Sequence, residues 1–116
     1  MWNIPRKARL VEIPGLYETE KIPLAKKLIY LHFFLNACDW YVAEFDGDDT
    51  FWGYYILNGN EECEWGYTSF AGLRELKICE WVEVSCEPEE SWVIRPAHEI
   101  EKIDIDPPAD IFNRKF

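Results

Sequence analysis

Three stretches rich in aromatic and β-branched residues, 40–45, 51–57 and 62–67, are joined by two short glycine-bearing turns, and this spacing narrows the fold more than any other feature of the chain. The first joint is Asp46-Gly47-Asp48-Asp49 and the second Asn58-Gly59-Asn60. Both carry residue types that accept the left-handed backbone of a tight hairpin. In the third stretch Glu62 and Glu64 alternate with Cys63, Trp65 and Tyr67. That period of two predicts one polar and one packed face. The pattern predicts an antiparallel three-stranded meander.

The flanks extend it. Residues 28–35 are bulky and apolar on both faces apart from His32, as in a strand buried within a sheet. Residues 81–86 alternate again and predict a further strand, bringing the sheet to about five. Helical composition over 5–11 is stopped by Pro14-Gly15. Thr68 or Ser69 is suited to cap a helix through Phe70, Leu73 and Leu76, and Pro96 to open a short one over 97–102. The fold class expected is α+β: a small antiparallel meander sheet with two or three short helices, residues 1–103 forming one domain and 104–116 a loosely held tail.

Charge limits the partners. Of 116 residues, 22 are Asp or Glu and 12 Lys or Arg, a formal net charge of −10. A body so charged repels phosphate backbones, which argues against direct nucleic-acid binding. The window 38–64 contains Asp39, Glu44, Asp46, Asp48, Asp49, Glu61, Glu62 and Glu64 and no Lys or Arg; 78–94 contains five Glu and no basic residue. With 16% aromatic residues, the acid lies on a folded body and not on a disordered tail.

Residues 1–9 lack the apolar run of a signal peptide, and no apolar run approaches the roughly 20 residues of a membrane-spanning helix. Cys38, Cys63, Cys79 and Cys86 form no Cys-x-x-Cys pair. They read as buried or reduced thiols of a cytoplasmic protein without disulfides.

Several groups have the makings of chemistry. Asp46, Asp48 and Asp49 beside Glu44 offer oxygens to a hard cation, but the sixth position from Asp46 is Phe51 where an EF-hand loop needs glycine, and an exposed hairpin turn accounts for them as well. Asp39 and Glu44 interrupt a bulky strand, as a buried acid would, or else sit on a turn and on the polar face. His32 reads as a core histidine satisfied by one hydrogen bond. No Gly-x-Ser-x-Gly elbow, phosphate loop or paired His/Cys metal spacing occurs, and no cofactor is implied. The aromatic series Trp40, Tyr41, Phe51, Trp52, Tyr54, Tyr55, Trp65 and Tyr67 exceeds what one face of a small sheet hides, unless helices and termini cover both faces.

The segments Leu31-His32-Phe33-Phe34, Asp39-Trp40-Tyr41-Val42-Ala43-Glu44-Phe45-Asp46-Gly47, Gly53 followed by Ile56-Leu57-Asn58-Gly59, and Glu64-Trp65-Gly66-Tyr67 with Ser69-Phe70 occur in that order. With Met1-Trp2-Asn3, Leu16-Tyr17-Glu18-Thr19-Glu20 and Pro96-Ala97-His98-Glu99-Ile100, this set resembles a bacterial family catalogued as domain of unknown function 2958, over residues 1–103. The resemblance implies a short bacterial protein often carried on plasmids, phages and integrated elements. It implies no activity and no catalytic residues.

The reading these features support is an accessory binding protein of a mobile genetic element. It would meet a protein partner with a basic surface through Asp46, Asp48, Asp49, Trp52, Tyr54, Glu61, Glu62 and Glu64. An inhibitor of a host nucleic-acid-binding or defence protein belongs to this class. The alternative is a small metal-dependent hydrolase using the carboxylates of residues 39–49.

Overall fold

Asp46 turns the chain at the tip of the central hairpin. Its Oδ1 accepts hydrogen bonds from the backbone N–H groups of Asp48 (2.8 Å), Asp49 (3.0 Å) and Thr50 (3.0 Å). Gly47 takes φ +87°, a value that costs glycine nothing. The two arms are β3 (Cys38–Phe45) and β4 (Thr50–Leu57), and β5 (Glu62–Ser69) pairs with β4 through all eight residues without a break in register. The computed structural model describes residues 4–57, 59, 62–79 and 82–105, with the backbone alone for 77–79.

Before the hairpin come a four-residue helix α1 (Lys7–Leu10), a 3-10 turn at Leu24–Lys26, β1 (Leu28–Ile29) and β2 (Leu31–Leu35). After it come α2 (Phe70–Glu75), β6 (Lys77–Cys79), β7 (Val82–Glu83), β8 (Ser85–Cys86), β9 (Arg95–Pro96) and a 3-10 turn at Ala97–Glu99. The main sheet is antiparallel with order β5-β4-β3-β2-β8; β1 pairs with β9 and β6 with β7 as two small side ribbons. The five-stranded antiparallel sheet agrees with the expectation, and among the described residues the regular elements are mostly strands with two short helices.

The differences are local. The run 28–35 is two strands, because Tyr30 leaves the β1 line and donates its N–H to the Val42 carbonyl at 2.8 Å. The turn before β3 is only Asn36-Ala37, with Asn36 at φ +50°, so Asp39 lies inside a strand, opposite Phe34 and Ile56. The run 81–86 divides at Val84 between β7 and β8, and the helix expected over 97–102 is one 3-10 turn. Glu61, Trp81 and most of the tail, residues 106–116, lie outside the described residues. Among the described residues no helix is long and apolar enough to cross a membrane.

Helix α2 begins where two side chains occupy its open N–H groups. Ser69 Oγ accepts from Gly72 N at 3.0 Å, and Asp49 accepts from Ala71 N and from Ser69 Oγ, both at 2.7 Å. Capping of this kind stabilises a helix by about 1 kcal/mol. It sets Phe70 against Phe51, 4.9 Å between ring centroids, and buries Leu73, while Leu76 falls beyond the helix and is exposed.

Both faces of the sheet are covered. Leu31, Phe33, Trp40, Val42, Phe45 and Phe51 pack with Ile13, Leu73 and Val84 on one side. Ile29, Tyr41, Tyr54 and Ile56 pack with Trp92, Ala97, Ile100 and Ile103 on the other. Of the aromatic series only Tyr67 is exposed; Trp40, Tyr41, Phe51 and Tyr54 are buried. Val42, Ile56, Leu73 and Val84 occupy the core as their alternation predicts. Trp65 does not: it is half-buried on the outermost strand, stacked 5.3 Å from Trp52. Trp65→Ala should therefore cost about 1–2 kcal/mol in urea melts, below the roughly 3–5 kcal/mol of an enclosed ring.

Candidate functional site

Glu44 reaches its place through a β-bulge. The β3–β4 register shifts between Val42 and Glu44, leaving Ala43 as the extra residue. Phe45 thereby rejoins Trp40 and Val42 in one core, and Glu44 falls opposite Trp52, itself opposite Tyr67. The bulge needs Gly53 on the facing strand, since a Cβ there would stand 1.9 Å from the Tyr41 carbonyl oxygen.

The Glu44 carboxylate is buried and accepts from Tyr17 N (2.9 Å), Thr19 N (3.1 Å) and the Thr19 hydroxyl. Tyr17 is at φ +70°, a rare conformation for a bulky residue. It is the conformation in which the Tyr17 and Thr19 N–H groups converge on one carboxylate. Lys27, also buried, donates to Thr19 Oγ1 at 2.9 Å and to the Thr19 carbonyl, and its ammonium lies 5.3 Å from the Trp52 ring centroid. Burial pushes the Lys27 pKa down, while Glu44 and Glu20 pull it back up.

Above this network opens a cavity of about 400 Å³. Its rim holds Tyr17 (66% exposed), Ile22 (42%), Leu24 (40%) and Tyr67 (54%), and its floor holds Trp52, Glu44 and Lys27. The Tyr67 hydroxyl donates to the Tyr17 hydroxyl at 2.9 Å across the mouth. Four large apolar side chains thus converge, each exposed well beyond what packing would leave. Sequence reasoning missed Tyr17, Ile22 and Leu24. The signal was present in Ile22-Pro23-Leu24, apolar residues in a turn-forming stretch where no core periodicity calls for them.

A second polar cluster ties the sheet to the C-terminal segment. His32 meets Asp39 Oδ1 through Nε2 at 2.7 Å and Glu87 Oε1 through Nδ1 at 2.8 Å, and its ring stacks on Tyr41 with 4.5 Å between centroids. An ionised carboxylate only accepts, so both contacts are satisfied when both ring nitrogens carry protons. Two partners, not one, satisfy this histidine. Lys102 Nζ donates to Asp39 Oδ2 at 3.3 Å. Burial works upward on the Asp39 carboxyl, and the His32 hydrogen bond and charge with the Lys102 charge outweigh it, holding the group below the usual carboxylate range.

The pH dependence follows. With the folded value below the unfolded one, the unfolded chain takes up the proton first as pH falls, so the contribution of Asp39 is intact above about pH 4 and is lost as pH drops through the folded value. The urea midpoint should fall more steeply below about pH 4 in the wild type than in Asp39→Asn, measured as parallel melts across the acid range.

The carboxylates of the acidic window do not form one patch. Asp39 and Glu44 are buried in the two networks, and Asp46 and Asp49 are engaged in the hairpin turn and the α2 cap. The Thr50 amide first, then those of Asp48 and Asp49, hold Asp46 below its ordinary pKa. Asp48 is exposed at the tip, and Glu64 and Glu62 are exposed toward the other end of the β4–β5 ladder, about 17 and about 23 Å along it at roughly 3.3 Å per residue. Trp52 forms the cavity floor, Tyr54 is buried, and Glu61 lies outside the described residues. For a hydrolytic metal site the carboxylates of 39–49 would have to meet; Asp39 and Glu44 are held in separate networks, Asp46 and Asp49 are taken up by the hairpin turn and the helix cap, and Asp48 is exposed. Among the described residues no group of three His, Cys, Asp or Glu is placed to hold a metal ion.

Comparison with protein-family models, curated proteins and solved structures gives no match. The likeness to domain of unknown function 2958 rests on the residues quoted for it.

Proposed function

We propose that this protein is an accessory binding protein that occupies a protein partner bearing a basic surface, with the cavity framed by Tyr17, Ile22, Leu24 and Tyr67 as the contact centre. One observation carries the reading: four exposed large apolar side chains gather around one cavity on a body of net charge −10. Interfaces draw most of their energy from a few such side chains, and charge of one sign speeds encounter with the other. Asp48, Glu62 and Glu64 supply exposed charge for that encounter, and Trp52 backs the cavity. A host nucleic-acid-binding or defence protein offers a basic surface of this kind, and inhibition of such a protein is the role this reading assigns. The same charge opposes direct contact with DNA or RNA.

The test is affinity capture at two salt concentrations, comparing the wild type with the double variant Leu24→Ala/Tyr67→Ala, whose side chains are exposed enough to be removed without unfolding. A basic protein retained by the wild type and lost by the variant is the expected result, with association slowing as salt rises. Capture indifferent to both substitutions, or micromolar binding to nucleic acid at physiological salt, overturns the reading.

A further inference from the structure

The two edges of the main sheet differ. On one side it ends in β8, a strand of two residues followed by Glu87 and Pro88. On the other it ends in β5, eight residues in unbroken register with β4 and with a strand on one side only among the described residues. Natural proteins blunt such an edge with charged side chains, above all lysine, or with proline, a bulge or a short strand. β5 has no lysine, proline or bulge and is eight residues long; its charges are Glu62 and Glu64 at one end, which leaves 65–69 uncharged.

These two are placed for use. Separated by two positions, they point to the same face, and both are exposed. The Tyr55 ring lies over Gly66, where an added Cβ would come within 3.2 Å of it, and its hydroxyl donates to Glu64 Oε1. That bond to the carboxylate is the main reason the Tyr55 pKa is pushed up to about 12. One oxygen of Glu64 is thereby fixed while the other keeps its capacity for a cation. On the opposite face of the same strand Trp65 is half-buried and Tyr67 exposed, so an added strand would meet acid on one side and aromatic surface on the other.

We infer that β5 is a docking edge for an extended segment of a partner protein, which adds to the sheet as a sixth strand with Lys or Arg at alternate positions opposite Glu62 and Glu64 and apolar residues between them. Main-chain hydrogen bonds along the edge supply affinity and the alternating side chains supply selection. The inference rests on the binding reading above and names its mode.

The probe is a synthetic peptide about as long as β5, alternating Lys with Val, titrated into the full chain with fluorescence anisotropy as readout. Two control peptides carry Glu in place of Lys, or the same Lys-Val sequence with N-methyl groups on alternate backbone nitrogens. Saturable binding of the first is expected, with no binding of the Glu peptide and more than about tenfold weakening by N-methylation. Glu62→Gln/Glu64→Gln should weaken the first peptide by about tenfold at low salt. Equal binding of the N-methylated peptide would show simple charge adhesion and overturn the inference. Binding seen only after removal of residues 106–116, or self-association through β5 in sedimentation, would give the edge another occupant and overturn it as well. A captured partner that is lost with Leu24→Ala/Tyr67→Ala yet is not displaced by the peptide would leave the binding reading standing and this mode refuted.

Discussion

Gly53→Ala should destabilise the protein by at least about 3 kcal/mol, at or beyond the upper end of ordinary overpacking. The added methyl would stand 1.9 Å from the Tyr41 carbonyl oxygen and 2.9 Å from its carbon, and both belong to the backbone of the central strand. Side chains swing aside, but this backbone is held by β2 on one flank and by β4 on the other. Relief requires either opening the β3–β4 ladder or losing the bulge, and losing the bulge would turn Phe45 out of the core. Urea denaturation measures the loss. Gly66→Ala is the control, because there the nearest atom is the movable end of the Tyr55 ring at 3.2 Å. A cost at position 53 no greater than at 66 would show that the strands separate without penalty.

Glu44→Ala should cost about 3–5 kcal/mol, the range for removing one member of a buried ionic network. The substitution leaves the Tyr17 and Thr19 N–H groups without their acceptor and Lys27 buried without the carboxylate that most favours its charge. Glu44→Gln should recover only part of the loss, since a side-chain amide keeps one accepting oxygen and introduces donors facing donors. Lys27→Met together with Glu44→Gln should be more stable than Glu44→Gln alone, because the orphaned cation is gone. Circular dichroism melts with urea titration decide the order. The Glu44 variants should also lose the cavity, since the segment carrying Tyr17 is tied to the sheet through Glu44.

These two residues show where sequence reasoning stopped. The turn at 46–49, three paired strands and the Ser69 cap were legible because each is specified by neighbours within a few positions, while Asn58 and Asn60 of the second turn lie outside the described residues. The bulge was not: one extra residue at Ala43 reverses which face every later β3 side chain takes, and its enabling glycine is on the next strand. Asp39 could be read as a buried acid or as a turn residue, because a two-residue hairpin at Asn36-Ala37 leaves no more sequence trace than a longer one; the structure puts it in the strand. Tyr17, Ile22 and Leu24 entered no site expectation because the carboxylate that gathers their segment is about 25 residues away, at separations of 27 for Tyr17 and 25 for Thr19. The acidic window was read as one surface since adjacency in sequence resembles adjacency in space; on a hairpin, residues near the tip and residues past the far end are a strand length apart.

The doubly held histidine carries a consequence for the order in which the chain assembles. His32 and Asp39 are seven residues apart and meet as soon as the β2–β3 hairpin closes, whereas Glu87 and Lys102 arrive from 55 and 63 residues away on the segments that cover the sheet. Local closure is fast and distant closure slow, so the ring passes through a stage with one carboxylate before it acquires the second. Its Nδ1 environment therefore reports docking of the C-terminal third and its Nε2 environment reports hairpin formation, two clocks on one imidazole that nitrogen-resolved NMR during refolding would read separately.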